Sequence, residues 1–249
     1  MIADMHQIPA LRKLWQQAFG DTEETLDAFF ATCFSHQRCN VLCVDDQPVS
    51  ALYWFDCRLN DAPLAYLYAC ATEKALQGQG YFRRLMEDTH ALLKNSGYAG
   101  AVLVPGNGAL FAMYRKFGYR TVSTVREFTC TQGETAVSLR PLDQTQYAQA
   151  RLQYLPNGGI IQEGPTLAYL QTQVQFFAGN DFLLAANGEN GTLQTQELLG
   201  NPAAAPGILR ALNLPHGRFR IPGPGRDFAM FLPFSENCPV PAYFGLALD

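Results

Sequence analysis

Lysine is scarce in this chain and absent from its C-terminal half: the four lysines are Lys13, Lys74, Lys94 and Lys116. With 18 basic against 22 acidic side chains the formal charge is −4, and no stretch forms the basic stripe with which a nucleic-acid binder meets phosphates. Long apolar runs are also missing. Nothing approaches the roughly 20 residues that a membrane-spanning helix needs, and the N-terminus MIADMHQIPALRKLW lacks the charged-then-apolar order of a secretory signal. These absences predict a cytoplasmic protein that engages neither nucleic acid nor membrane. The seven cysteines (33, 39, 43, 57, 70, 130 and 238) form no C-x-x-C pair, and the histidines do not cluster. A zinc or disulfide framework is thereby disfavoured, and reduced, buried thiols with no metal are expected.

What is present supports real cores. The chain has 249 residues, 48% of them apolar and 12% aromatic, enough for one large domain or two of ordinary size. Residues 8 to 19 repeat apolar side chains at three-four spacing (Leu11, Leu14, Trp15, Ala18, Phe19), which predicts a helix ended by Gly20. A second helix is expected after it, with Asp21 as N-cap and Glu24 in a capping box. Residues 40–44 and 49–59 read as a strand pair, and 64–72 as a further strand. A helix from about Phe82 to Asn95, a strand at 101–104, a helix at 108–116 and an extended segment at 119–125 follow. The order predicts a mixed twisted sheet with flanking helices.

Between the strand at 64–72 and the next helix the sequence reads QGQGYF, Gln77 to Phe82. Glycine allows consecutive backbone N–H groups to converge on one point without a Cβ in the way, and the helix N-terminus adds partial positive charge. Such a loop cradles a phosphate. A tight strand-to-helix turn explains Gly78 and Gly80 equally well. The loop is not a dinucleotide-binding fingerprint, which needs a third glycine, nor a P-loop, which needs Gly-Lys-Thr.

Thirty residues beyond Gln77 stands NGALFAMYRKFGY, residues 107–119. The pairing of the two segments resembles the GNAT superfamily of N-acetyltransferases, in which a Gln/Arg-x-x-Gly-x-Gly/Ala loop is followed by Asn-x-x-Ala-x-x-x-Tyr-x-x-x-Gly-Phe. Gln77 and Gly80 match the loop, and Asn107, Tyr114 and Gly118 match the second segment, with Leu110 for Ala and Tyr119 for Phe. Phe82 stands where the family has Gly or Ala. The resemblance covers about residues 5 to 125 and implies acetyl-CoA as co-substrate, without a metal. It implies a cofactor-binding set of Cys70, Ala71, Thr72, Gln77, Gly78, Gln79, Gly80, Tyr81, Phe82 and Asn107. In it, Cys70-Ala71-Thr72 is splayed from its neighbour by a bulge and offers backbone amides, and Tyr114 is the general acid that protonates the leaving sulfur.

Two of these residues also have ordinary readings. Tyr114 shares a helical face with Leu110, Met113 and Phe117, as a core aromatic would, and Asn107 is a natural helix N-cap. No general base is assigned: Asp21, Glu23, Glu24 and Asp27 suit capping and a solvated face. Tyr66 and Tyr68 point the same way along a strand and are candidates to line the acceptor channel. The resemblance implies transfer to a primary amine of a small molecule or peptide. The alternative is a non-catalytic acyl-CoA-binding or regulatory protein, motivated by Phe82 and the missing base.

From Arg126 onward there is no lysine and no glycine-loop motif. A strand at 136–140, helices at 142–153 and 165–177, a hairpin around Asn187–Gly191, a helix at 203–212 and strands at 218–221 and 228–232 are expected. The order predicts domains at 1–125 and 126–249, the second a degenerate GNAT-like module. That arrangement is similar to the enhanced intracellular survival type of acetyltransferase without its third, sterol-carrier-like domain.

Overall fold

The computed structural model describes residues 1–248. The chain packs as two compact units: Met1–Leu103 with Pro233–Cys238, and Val104–Leu232 with the segment from Pro239 onward. No helix among the described residues is long and apolar enough to cross a membrane.

In the first unit α1 (Ile8–Phe19) carries Pro9 in its first turn, where a missing N–H costs nothing, and ends at Gly20, whose left-handed backbone (φ 73°) returns its N–H to Gln16 O. The following helix, α2 (Glu23–Thr32), is capped by Thr22, whose hydroxyl accepts from Thr25 N. The expected cap, Asp21, is instead taken by the indole N–H of Trp15 at 2.7 Å. Strands β1 (Cys39–Val44) and β2 (Gln47–Leu59) form a hairpin across Asp45-Asp46, both at positive φ, the backbone that a two-residue turn between right-twisted strands requires. After β3 (Ala62–Thr72) come α3 (Tyr81–Asn95) and β4 (Gly100–Leu103). The strand order is β1-β2-β3-β4.

Two irregularities shape β3. Its pairing with β2 runs from Tyr53↔Tyr68 to Ala51↔Ala71, so Ala69 and Cys70 together face Leu52 as a bulge. Ala69 bears the strain, at φ 47°. Its parallel pairing with β4 covers only Leu64–Tyr66 against Gly100–Val102. The helices α1 and α2 cover the sheet through Trp15 and Phe29, whose rings lie 4.5 Å apart and both 5.2 Å from Tyr53. On α3, Thr89 receives a hydrogen bond from Asn40 of β1 at 2.8 Å, which satisfies two buried polar groups at once.

The second unit begins with α4 (Gly108–Arg115), β5 (Arg120–Thr131), β6 (Arg140–Leu142), α5 (Gln144–Tyr154), β7 (Ile161–Gln162) and α6 (Pro165–Gln171). It continues with β8 (Gln175–Ala178), β9 (Phe182–Glu189), β10 (Thr192–Gly200), α7 (Ala205–Leu212), β11 (His216–Pro222) and β12 (Arg226–Pro233). The strand order is β12-β5-β11-β10-β9-β8-β6. Several boundaries differ from expectation, three of them with a clear cause or a large shift. The predicted helix over 165–177 stops at Gln171, because Phe176 and Phe177 pair with β9 and the Phe176 ring stacks on Tyr147 at 4.2 Å. The strand expected at 136–140 forms at Arg140–Leu142. The extended segment from residue 119 runs on to Thr131, since β11 pairs with it through Cys130 and Thr131. The β9–β10 hairpin turns on Asn190-Gly191, both at positive φ.

The core of this unit contains an ion pair. Arg151 and Glu197 are almost fully buried and joined by two hydrogen bonds of 2.7 and 2.8 Å. Tyr147 and Tyr243 donate to the same carboxylate at 3.2 and 2.8 Å, and Arg151 also donates to Ile160 O at 3.0 Å. Burial alone would lower the Arg151 pKa, but the facing Glu197 outweighs it and the pKa rises. A Cβ at Gly245 would lie 2.1 Å from Tyr243 Oη and 2.2 Å from Glu197 Oε1, so this position has no room for a side chain.

Candidate active site

The predicted loop lies in the first unit, between the bulged end of β3 and α3. Gly80 is the residue before the helix, at φ 90°, and no side chain caps the N–H groups that follow it. Gly78 is at φ 77°. A side chain at either glycine would meet no neighbour within 4 Å, so the glycines serve backbone conformation and not close packing. A first helical turn without a cap leaves donors aimed outward, together with the positive end of the helix dipole. That is the chemistry an anionic pyrophosphate requires, and the residues present fit it.

Side chains hold the loop to the strand. Gln77 Nε2 donates to Thr72 O at 3.1 Å, and Gln79 Nε2 to Ala75 O at 3.2 Å. Thr72 Oγ1 lies 2.7 Å from Ser50 Oγ, which also donates to Ala71 O at 2.9 Å. The structure thus brings Ala71, Thr72 and Gln77 together at the end of β3. Tyr81 and Phe82 open α3, both half-buried.

Asn107 and Tyr114 lie in the second unit, on α4. Asn107 is its N-cap, with Oδ1 accepting from Leu110 N at 3.1 Å. Tyr114 is 7% exposed, and its ring makes an edge contact with Tyr119 at 5.8 Å. Gly118 closes the helix at φ 90°, where an added Cβ would come within 3.2 Å of Leu232.

Most acidic side chains near α2 already have partners. Arg12 holds Glu23 and Asp27 at 2.5 and 2.7 Å, and Trp15 holds Asp21. The Glu24 pKa is lowered by its own backbone N–H and by Thr22. On the strands, Tyr66 is buried and Tyr68 half-buried, their rings 6.2 Å apart and both against Phe55. Sequence reading missed a group in the second unit, Arg218 and Arg220 of β11 with Arg226 of β12 around Glu127 of β5. Its signal was the alternation R-F-R at 218–220, which places two arginines on one strand face.

Residues 3–122 match the sequence model of the acetyltransferase (GNAT) domain. The match places a GNAT acetyltransferase domain in the N-terminal part of the chain. Acyl transfer to an amine is that family's chemistry, and the loop and α4 segment lie inside the matched region. No curated protein matches the sequence. Among solved structures, the chain is similar to a GCN5-related N-acetyltransferase from Anabaena variabilis, at TM-score 0.72 and 13% identity over 93% of this chain and 71% of that one. It is similar to another from Kribbella flavida, at TM-score 0.70 and 14% identity over 94% and 71%. Eis1 from Mycobacterium abscessus aligns at TM-score 0.68 and 11% identity over 94% and 72%. The TM-scores and coverage establish a shared fold, which extends beyond the GNAT domain into the second half of the chain.

Proposed function

We propose that the protein transfers an acetyl group from acetyl-CoA to a primary amine of a small molecule or peptide. The observation that carries this reading is the uncapped start of α3 behind Gly78 and Gly80. Acetyl-CoA supplies an acyl thioester, and the chain's residues do the rest. The backbone N–H groups from Gly78 to Phe82 bind the pyrophosphate, with Gln77 and Asn107 contributing to the cofactor set. The Cys70–Thr72 edge of β3 orients the acetyl carbonyl and polarises it. As the new C–N bond forms and the C–S bond breaks, the Tyr114 phenol gives its proton to the leaving sulfur, and the proton shed by the amine nitrogen passes to solvent, from which the phenolate is reprotonated. The compact units divide at Leu103/Val104, whereas the boundary proposed between the two GNAT-like modules falls near residue 125, within β5, with residues 126–249 a degenerate module that binds no acetyl-CoA.

The competing reading, a binding protein without turnover, is favoured by the near-complete burial of Tyr114 and by Phe82 at the start of α3. Incubation with acetyl-CoA and a panel of polyamines, aminoglycosides, amino acids and peptides, with release of free thiol followed, separates the two. Acceptor-dependent thiol release is expected. A rise in melting temperature with acetyl-CoA but no thiol above background would make the protein a binder, and no rise would refute the cofactor site itself.

A further inference from the structure

We propose that the basic cleft of the second unit, built by Arg218, Arg220 and Arg226 around Glu127, binds a small phosphate-bearing ligand. The cleft begins with strand register. Glu127 of β5 lies directly opposite Arg220 of β11, and Arg218, two residues earlier, projects from the same face. Arg226, at the start of β12, reaches the same carboxylate from the other side of β5. Three cations therefore converge on one anion. Glu127 Oε1 accepts from Arg226 at 2.8 and 3.1 Å and from Arg220 at 3.4 Å, while Oε2 accepts from Arg218.

Packing holds these guanidiniums in place. A register shift in β12 at Phe228 sets that buried ring beneath Arg220 and Arg226, with guanidinium carbons 4.8 and 5.0 Å from its centroid. Gln196, the extra residue of a bulge in β10, accepts from Arg220 Nη1 at 3.0 Å, and Thr195 Oγ1 accepts from Arg220 N at 2.7 Å. Arg220 is thus largely buried and fixed, the state in which a guanidinium recognises an anion with little ordering cost.

Charge and donor counting identify the ligand. The lining holds three arginines against Glu127 and Glu189, which leaves one positive charge uncompensated. Arg226 and Arg218 hold Glu127 at a pKa of about 2, against the opposing effect of burial, so it stays ionised and cannot release the arginines. Arg218 Nε and Nη1 and Arg226 Nη1 donate to no acceptor among the described residues. Three nitrogens suit the three oxygens of a phosphate monoester better than the two of a carboxylate. The cleft has a volume of about 330 Å³, which fits a small ligand and excludes a whole nucleotide cofactor.

The test is calorimetric titration of the full-length protein with inorganic phosphate and with glycerol phosphate, against chloride at matched ionic strength. Saturable binding is expected, retained in Gly80→Val and weakened roughly tenfold or more in the Arg218→Ala/Arg226→Ala double variant. Glu127→Gln removes the resident competitor without changing shape and should tighten binding severalfold. Tighter binding of glycerol phosphate assigns an ester, and preference for inorganic phosphate assigns the free anion. Absence of saturable binding in both the native protein and Glu127→Gln would overturn the proposal, as would undiminished binding in a folded double variant. Phosphate binding lost only in Gly80→Val would move the anion to the α3 loop, refuting this site while supporting the acyl-CoA reading.

Discussion

Both units send a strand into a helix through a short loop, and the two loops differ in what their backbones offer. In the first, β3 leads through Gly78 and Gly80, at φ 77° and 90°, to the uncapped start of α3. In the second, β10 ends at Gly200, Asn201 caps a short 3-10 turn at Pro202–Ala204, and α7 starts with Pro206 in its first turn. Proline deletes a donor where the first loop presents several. Gly207 is packed and not open: a Cβ there would lie 2.6 Å from the Val137 side chain and 3.1 Å from Thr135 O. Each unit has a parallel strand pair joined over three residues, Leu64–Tyr66 with Gly100–Val102 and Thr192–Gln194 with His216–Arg218, and a bulge further along. A shared scaffold therefore does not fix how many backbone donors a loop leaves open; a few loop residues do.

The units also differ in where they keep charge, and the largest effect tests that contrast. Glu197→Ala strands Arg151 in the core of the second unit and should cost ~3–5 kcal/mol in urea unfolding. A cost near that of a surface ion pair would show that the network is not buried in solution. Next, Tyr114→Phe should leave acetyl-CoA affinity unchanged and lower turnover on the order of a hundredfold or more. An unaltered rate, with chemistry limiting, would return Tyr114 to a packing role.

The loop comparison is broken or sharpened by paired glycine variants. Acetyl-CoA at a hundredfold excess over its Kd should stabilise the native protein by about 2.7 kcal/mol, and Gly80→Val should erase that gain. Gly207→Ala should lower stability by about 1–3 kcal/mol through overpacking yet keep the whole acetyl-CoA effect, with one cofactor bound per chain. A stoichiometry of two would contradict the contrast. The smallest effect concerns exposed charge in the first unit. Burial works to raise the Asp56 pKa, but Arg38 and Tyr98 outweigh it and hold it below the usual carboxylate value. A depressed carboxylate stabilises above its unfolded pKa and loses that contribution as pH falls through the folded one. Half-exposed and screened, this cluster should add only ~0.2–1 kcal/mol, seen as a shallower acid limb in Asp56→Asn.

The elements of the first unit were legible because each has a local cause: three-four apolar spacing for α1, residues that tolerate positive φ in the β1–β2 and β2–β3 turns, glycines before α3. The two segments of the candidate site were legible as patterns for the same reason, since each is a short run of consecutive residues, Gln77 to Phe82 and Asn107 to Tyr119. Less of the second unit could be read. Whether Gln175–Ala178 is helix or strand depends on β9 and Tyr147, which lie elsewhere along the chain, and the choice of Thr22 over Asp21 as cap depends on Trp15.

By itself the sequence determined the GNAT domain match of residues 3–122, the glycine loop before α3 and most of the succession of helices and strands. These follow from spacing within about a dozen residues, where backbone geometry imposes its own period. Only the tertiary structure decided that Arg151 faces Glu197 across 46 positions and that Arg218, Arg220 and Arg226 converge on Glu127 across more than 90. No local rule brings such residues together. Their contacts arise from sheet register, which is set by the burial of whole strand faces and not by any one residue's preference.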